Sequence, residues 1–393
     1  MDPFFDHLVQ LGVKSYRLDF KWTWVETEKG VFEFDGRGPI DFDNFITRTH
    51  NAGIEPLFIL DYGNPLYDGG GFPVSAEGQA AFVRFATFVA QQFKGRVKRY
   101  EVWNEWNAGL GIIPRVRGDP VVYATLLKRV YAALKAVDPE IVVLGGAAAG
   151  MDLDWAQQVF AAGGLTAMDG YSMHPYVYPG APEKALEWVN LLATTAKTAA
   201  GGREIPLYLT EIGWPTYSAA DGIAPAVAGD YLARLYLLAP MYAFLKGVWW
   251  YDIYDDGTDP TNPQNHFGLF GPVNRPELSG WAPKPASCVM TQVNNLRATY
   301  AAVTASRNAD GVWVAKYRNA STSTSVFAVW TEAVGATISM RVTSSLPSGA
   351  TISAQGLCKT VSVTGNGSTS IGAVISNSPM LFTTTGDNIL LQR

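Results

Sequence analysis

The sequence predicts a (β/α)8 barrel that lacks its first strand, followed by an all-β sandwich. Over the first 300 residues, short and nearly continuous apolar runs alternate with longer helical patterns, as expected when helices cover a parallel sheet. From about Val303 onward the character changes: Ser and Thr supply 27 of the last 91 residues, and the apolar runs alternate in the manner of strands. The chain has 393 residues, of which 48% are hydrophobic, enough to bury a large core. A disordered chain and a small disulfide scaffold are thereby excluded.

Seven strand candidates stand in order: Lys14–Phe20, Ile54–Leu60, Val97–Trp103, Ile141–Gly146, Met168–His174, Pro206–Glu211 and Gly247–Asp252. The chain opens inside an amphipathic helix, Asp2–Gly12. Asp119-Pro120 sets a capping carboxylate before a proline at the first helical position. Tyr123, Leu127, Val130, Leu134 and Val137 then recur at helical spacing, and Asp138-Pro139 ends the run. Ser75 caps another helix, with Phe82, Phe85 and Val89 on its apolar stripe and Gly95 past its end. An eight-fold barrel needs one more strand before the opening helix, so the first strand is expected to precede Met1; an open seven-stranded sheet is the rival. We place the barrel at residues 1–302 and the sandwich at 303–393. Strand-like runs 311–317 and 325–330, with turns at Leu346-Pro347-Ser348-Gly349 and Gly365-Asn366-Gly367, define the latter. Only Asp310, Glu332 and Asp387 are carboxylates there, a poor stock for acid–base chemistry.

Several classes of function fall away. Net charge is −5 without a basic tract, which disfavours nucleic acid as a partner. No apolar run approaches the roughly 20 residues that span a membrane, and the first residues show no secretory signal. His7, His50 and His266 are scattered and make no metal set. There is no Gly-x-Ser-x-Gly elbow and no glycine-rich phosphate loop after a strand, so neither a serine hydrolase nor a nucleotide cofactor is implied. Cys288 and Cys358 either bridge the last barrel helix to the sandwich or stay as two free thiols.

In a parallel barrel the reactive groups gather at the C-terminal ends of strands. One strand runs on into Trp103-Asn104-Glu105, and another ends Leu209-Thr210-Glu211. Two carboxylates thus end two apolar strands that are not sequence neighbours, and burying such groups without partners is costly. A glycosidase pair accounts for both: one acid protonates the leaving oxygen and one carboxylate attacks the anomeric carbon. Glu101 has the parity of Glu105 but lies deeper, so it reads as the structural partner of a buried cation such as Arg17.

These residues carry a resemblance. Trp103-Asn104-Glu105 and Thr210-Glu211-Ile212-Gly213-Trp214-Pro215 look like the two signatures of clan A retaining glycoside hydrolases. Arg17-Leu18-Asp19-Phe20, His174-Pro175-Tyr176, Trp249-Trp250-Tyr251-Asp252, Asp255–Asp259 and Asn265-His266-Phe267-Gly268-Leu269 make the chain similar to family 39, in particular to its bacterial exopolysaccharide endoglycosidases. Residues 2–300 are covered; the sandwich resembles the accessory β-domain of such enzymes. The resemblance implies Glu105 as acid/base and Glu211 as nucleophile. It implies Asn104 on the sugar 2-hydroxyl, His174 and Tyr176 beside the nucleophile, Arg17 holding Glu211 ionised, and Trp249 or Trp250 flooring the cleavage subsite. Trp106 follows Glu105 where proline is more common, which bears on the leaving-group side.

A protonated acid and an ionised nucleophile are needed together, so apolar Trp103 and Trp106 are expected to raise the pKa of Glu105. Asp61, in Asp61-Tyr62-Gly63-Asn64-Pro65, is a candidate for sugar hydroxyls, against a turn with an Asn cap. The Asp255–Asp259 cluster reads as a solvated turn rather than a calcium loop. We therefore expect a monomeric, extracellular or periplasmic retaining hydrolase that cuts β-linkages in a polysaccharide or oligosaccharide with an open, endo-acting groove, without cofactor or metal. A non-catalytic polysaccharide-binding protein and a transglycosylase are the alternatives.

Overall fold

The structure, a computed structural model, describes residues 3–34, 41–272, 281–344 and 350–393. The turn expected at Leu346–Gly349, and Asp2 at the head of the opening helix, lie outside the described residues. Helix α1 (Pro3–Leu11) leads into seven parallel strands in chain order: β1 (Ser15–Lys21), β2 (Glu55–Asp61), β3 (Arg99–Val102), β4 (Val142–Ala149), β5 (Gly170–His174), β6 (Leu207–Ile212) and β7 (Leu245–Trp250). Helices α2 (Phe42–Asn51), α3 (Ala76–Gln92), α4 (Pro120–Val137), α5 (Leu153–Ala161), α6 (Pro182–Ala199) and α7 (Pro225–Leu238) alternate with them, and α8 (Pro285–Thr299) follows β7. The expected caps form: the Asp119 carboxylate accepts from the Val121 and Val122 N–H groups, and Ser75 Oγ accepts from Gly78.

The sheet curls into a half-barrel. Leu57, Leu144 and Tyr208 pack together with Val142 and Trp249 against them. These residues come from β2, β4, β6 and β7, which are not all neighbours, and only the inside of a curled sheet brings them together. Side chains alternate along each strand, so Arg17, Asp19, Glu101, His174 and Thr210 share this inner side nearer the strands' C-terminal ends. β1 and β7 remain the edges, with no ladder between them among the described residues. A cavity of about 1130 Å3 lies along both edges, backed by Leu8 and Leu11 of α1 and Met290 of α8. Among the described residues seven strands are thus present where a closed barrel has eight, and the curl separates the arrangement from a flat open sheet.

The remaining chain forms two antiparallel sheets. One runs β12 (Ile352–Gly356), β15 (Met380–Thr384), β10 (Thr324–Thr331), β9 (Val312–Asn319), β8 (Ala301–Arg307). The other runs β13 (Val363–Thr364), β14 (Ser370–Ile375), β11 (Ile338–Ser344), β16 (Ile389–Gln392). The period of two along β10 explains why it is buried on both sides. Phe327 and Val329 join Val342 and Ile371 between the sheets; Val326, Ala328 and Trp330 join the core of the barrel. Trp330 Nε1 donates to Glu183 on α6 (3.1 Å), the Tyr317 hydroxyl donates to the Leu237 carbonyl on α7 (2.6 Å), and Lys359 pairs with Asp230 (2.5 Å). Of the two fates open to the cysteines, the structure shows the bridge: Cys288 of α8 is bonded to Cys358.

Candidate active site

Arg17 organises the bottom of the site. From β1 its guanidinium reaches four groups: Nε donates to Glu101 (2.7 Å), Nη1 to Glu211 (2.5 Å) and Nη2 to Asn104 Oδ1 (2.9 Å), and Nη2 lies 3.4 Å from His174 Nε2. Glu101 is completely buried. It is therefore the structural partner of Arg17 that its depth suggested, and the pair satisfies a charge that would be costly alone. The Asn104 amide in turn donates to the Tyr62 hydroxyl (2.9 Å).

β3 ends at Val102, and the chain then leaves regular geometry. Trp103 (φ 67°) and Glu105 (φ 51°) both take left-handed backbone, which costs a non-glycine residue on the order of 1–2 kcal/mol. The Glu105 N–H donates to Ala147 of β4, tethering the turn. Trp103 goes into the core, while the Glu105 side chain stays 17% exposed. Glu211 lies within β6, where the register against β7 slips between Leu209 and Ile212, its side chain 14% exposed.

His174, fully buried at the end of β5, connects the two. Its Nδ1 lies 2.8 Å from Glu105 Oε1 and 3.5 Å from Glu211 Oε2, and its Nε2 lies 3.2 Å from the Thr210 hydroxyl. The Tyr176 hydroxyl donates to Glu211 Oε2 (3.0 Å). One atom each from Glu105, His174 and Glu211 falls within 4.8 Å of the others. Such a trio resembles a metal-ligand set in composition. Arg17, however, already supplies positive charge at Glu211, and the nitrogen that faces the trio is engaged with Glu105.

The electrostatics correct one expectation. Burial does push the Glu105 carboxyl upward, but the His174 hydrogen bond, with the charges of His174, Arg17 and Arg115, outweighs it and leaves the group below its ordinary range. The two tryptophans counted on to raise it face the core and are fully buried. Raised carboxyls stand elsewhere: Asp252, just beyond β7, is pushed up to about 8 by burial and then by Asp256 and Asp255, and burial raises Asp61 and Asp19 as well.

Arg17, Asn104, Glu105, His174, Tyr176 and Glu211 are brought together. Four other expected contacts are not. Trp106 is sealed between Phe72, Trp103 and Tyr123, its indole N–H on the Asp119 carbonyl, so it cannot touch a sugar. Asp61 is completely buried beside Asp19. In the same loop Asn64 Oδ1 accepts from the Leu66 N–H, which makes the segment the capped turn weighed against sugar binding. Trp249 points down into the barrel, its indole donating to Ser15 at the start of β1 (3.2 Å). Trp250 faces outward and stacks on Trp214 (centroids 5.6 Å, 30°). Asp255 is no solvated turn residue: it is buried, accepting from Lys284 (2.5 Å) and the Gly268 N–H (2.9 Å).

The wall facing Glu211 is made instead by residues the motifs contained but no role was read from. Tyr251 lies edge-on to Tyr176 (6.3 Å), and Phe267 packs on both (5.4 and 5.7 Å). Tyr62, edge-on to Trp103, closes the Asn104 side. Tyr251 was discoverable: counting by two from inward-facing Gly247 and Trp249 arrives at it.

No family model and no curated relative matches the sequence. Solved structures do. A family 39 glycoside hydrolase from the gut symbiont Bacteroides cellulosilyticus WH2 superposes with a TM-score of 0.78 at 25% identity, covering 96% of this chain and 76% of that one. The family 39 enzyme of Xanthomonas axonopodis pv. citri gives 0.68 at 16% identity (98% and 91% covered). A monomeric beta-xylosidase from Caulobacter crescentus CB15 gives 0.68 at 16% (98% and 92%). A family 51 arabinofuranosidase and a family 30 xylanase align as well, at TM-scores of 0.61 and 0.58. Fold, strand-end motifs and neighbours agree on an enzyme of the clan A glycoside hydrolase kind, with family 39 supported.

Proposed function

We propose that the protein is a retaining glycoside hydrolase cutting β-linkages in a polysaccharide or oligosaccharide by double displacement. One observation carries this reading: Glu105 and Glu211 come from separate strands, yet an oxygen of each lies within 4.8 Å of the other. Retaining enzymes hold their carboxyl groups about 5–5.5 Å apart, whereas inverting ones leave about 6.5–9.5 Å for a water.

A Glu211 oxygen attacks the anomeric carbon. As that bond forms, the glycosidic C–O bond breaks and its oxygen takes the proton of Glu105. Glu105, now a carboxylate, removes a proton from water. The water oxygen bonds to the anomeric carbon and releases Glu211. Asn104, braced between Arg17 and Tyr62, presents its amide to the 2-hydroxyl. Because His174 engages Glu105 at rest, the acid must trade that partner for the leaving oxygen when substrate binds. Tyr251 and Tyr176, backed by buried Phe267, offer aromatic surface to the sugar in the role expected of Trp249 or Trp250. The Cys288–Cys358 bond fits an oxidising compartment, hence export to the periplasm or beyond.

Glu211→Gln should lower hydrolysis of an activated aryl β-glycoside by at least about 10^3-fold, with unchanged thermal stability. A wild-type screen against β-glycans, with product sizing and anomer detection by NMR, would identify the substrate and the mode of attack. Initial release of the α-anomer would overturn retention, and inactivity on every glycan would favour a binding protein.

A further inference from the structure

The loop that follows Glu105 is anchored beside that carboxylate. Its base is fixed at several points. The Leu110 N–H donates to the Glu105 carbonyl (3.3 Å), and the Leu110 carbonyl accepts from Trp103 Nε1 (3.3 Å). Gly111, at φ 81°, lies flat on the Tyr62 ring, where a Cβ would come within 2.3 Å of a ring carbon. Gly118 donates to the Trp106 carbonyl, and its own carbonyl accepts from Trp155 Nε1. A Cβ at Gly118 would strike the Trp106 indole at 2.1 Å. Trp106, unable to reach a sugar itself, therefore serves as the anvil of this loop.

Only the tip is free. Ile113 is 98% exposed and Val116 52% exposed, so the tip offers apolar surface to solvent. The two arginines of the tip differ. Arg117 is neutralised by Asp152 (3.1 Å) and Asp154 (3.5 Å). Arg115 is exposed, has no hydrogen-bond or ion-pair partner among the described residues, and stands near enough to Glu105 for its charge to act on that carboxyl.

From this arrangement we infer that Arg115 is a specificity residue of the leaving-group side, and that the sugar it selects bears a carboxylate. The inference deepens the proposed function and rests on Glu105 as the acid, because the acid defines which side the leaving group occupies. A pyranose ring has apolar C–H faces for Ile113 and Val116, and a uronate adds a planar anion that a guanidinium grips with two parallel hydrogen bonds. A neutral sugar leaves the guanidinium with water alone. The loop's anchors hold it in place before binding, so little ordering cost opposes the contact.

The test compares a β-1,4-linked glucuronate trimer with cellotriose, which differ in their carboxylates alone, by calorimetric titration of the Glu211→Gln protein at low salt. The acidic trimer should bind about tenfold tighter, and added salt should narrow the gap. Arg115→Ala should abolish the gap and Arg115→Lys keep part of it, since an ammonium is a point charge without the fork. Equal affinities, no binding of either trimer, or a gap that survives Arg115→Ala would overturn the inference. Cleavage persisting in Glu211→Gln would instead strike the catalytic reading and leave the affinity comparison intact.

Discussion

The ends of β3 and β6 solve the same problem in opposite ways. Both must hold a carboxylate at the mouth of a barrel. At β6 the carboxylate stays within the strand, where the pairing with β7 slips between Leu209 and Ile212, and Glu211 is steadied by charge and hydrogen bonds from distant strands: Arg17 of β1 and Tyr176 beyond β5. At β3 the strand stops early, and the backbone itself is bent: two left-handed residues turn Glu105 outward, and one histidine meets it. The first support is electrostatic and rigid. The second is conformational, with a partner that can be exchanged. The roles we propose for the two, a nucleophile that remains in place and an acid that releases a proton, call for that difference.

Removing the acid is expected to have the largest effect. Glu105→Gln should depress hydrolysis of a glycoside with a poor leaving group by about 10^3-fold or more, but that of a dinitrophenyl glycoside far less. Azide should then restore turnover by yielding a β-glycosyl azide. Glu211→Gln should show neither pattern. If both variants respond alike, the functional contrast between the two strand ends fails.

The support at β6 can be broken separately. Arg17→Met leaves Glu101 charged and buried without its partner, so unfolding in urea should detect a loss of about 3–5 kcal/mol. Arg17→Met with Glu101→Gln should recover much of that loss without recovering activity, because Glu211 still lacks its cation. Recovery of both would mean that Arg17 serves the fold alone.

The smallest effect sharpens the β3 side. His174 is a chief cause of the lowered Glu105 pKa, so His174→Gln should raise that pKa. The active acid is the protonated form, so its pKa sets the basic limb of kcat/KM. That limb should move to higher pH. A shift to lower pH, or none, would show that burial governs this carboxyl after all.

Much of this was legible in the chain. Nearly continuous apolar runs located the parallel strands and period-3.6 stripes the helices, because burial of a parallel sheet under helices imposes both directly; alternation marked the sandwich. Two carboxylates closing apolar strands stood out for the same reason. The sequence-level reading missed wherever a side chain's direction depends on a local departure from regular geometry. Past Val102 the left-handed residues send Trp103 and Trp106 into the core, and no strand parity foretells that. Trp249 and Trp250 failed differently: Trp249 faces inward but low in the barrel and Trp250 faces outward, and the alternation places Tyr251 at the site instead. The pKa of Glu105 was misjudged because its decisive neighbour lies 69 residues away in the chain.

The contacts of Trp330, Tyr317 and Lys359 with α6 and α7, and the Cys288–Cys358 bond to α8, tie the sandwich to the helices behind the candidate site. It grips, from outside, the helical arc that backs β6 and β7, and β6 carries Glu211. Such a module is a buttress rather than an exchangeable appendage. Grafting a foreign carbohydrate-binding module in its place would uncover the Glu183–Arg234 pair and loosen the nucleophile's strand from behind, far from any sugar.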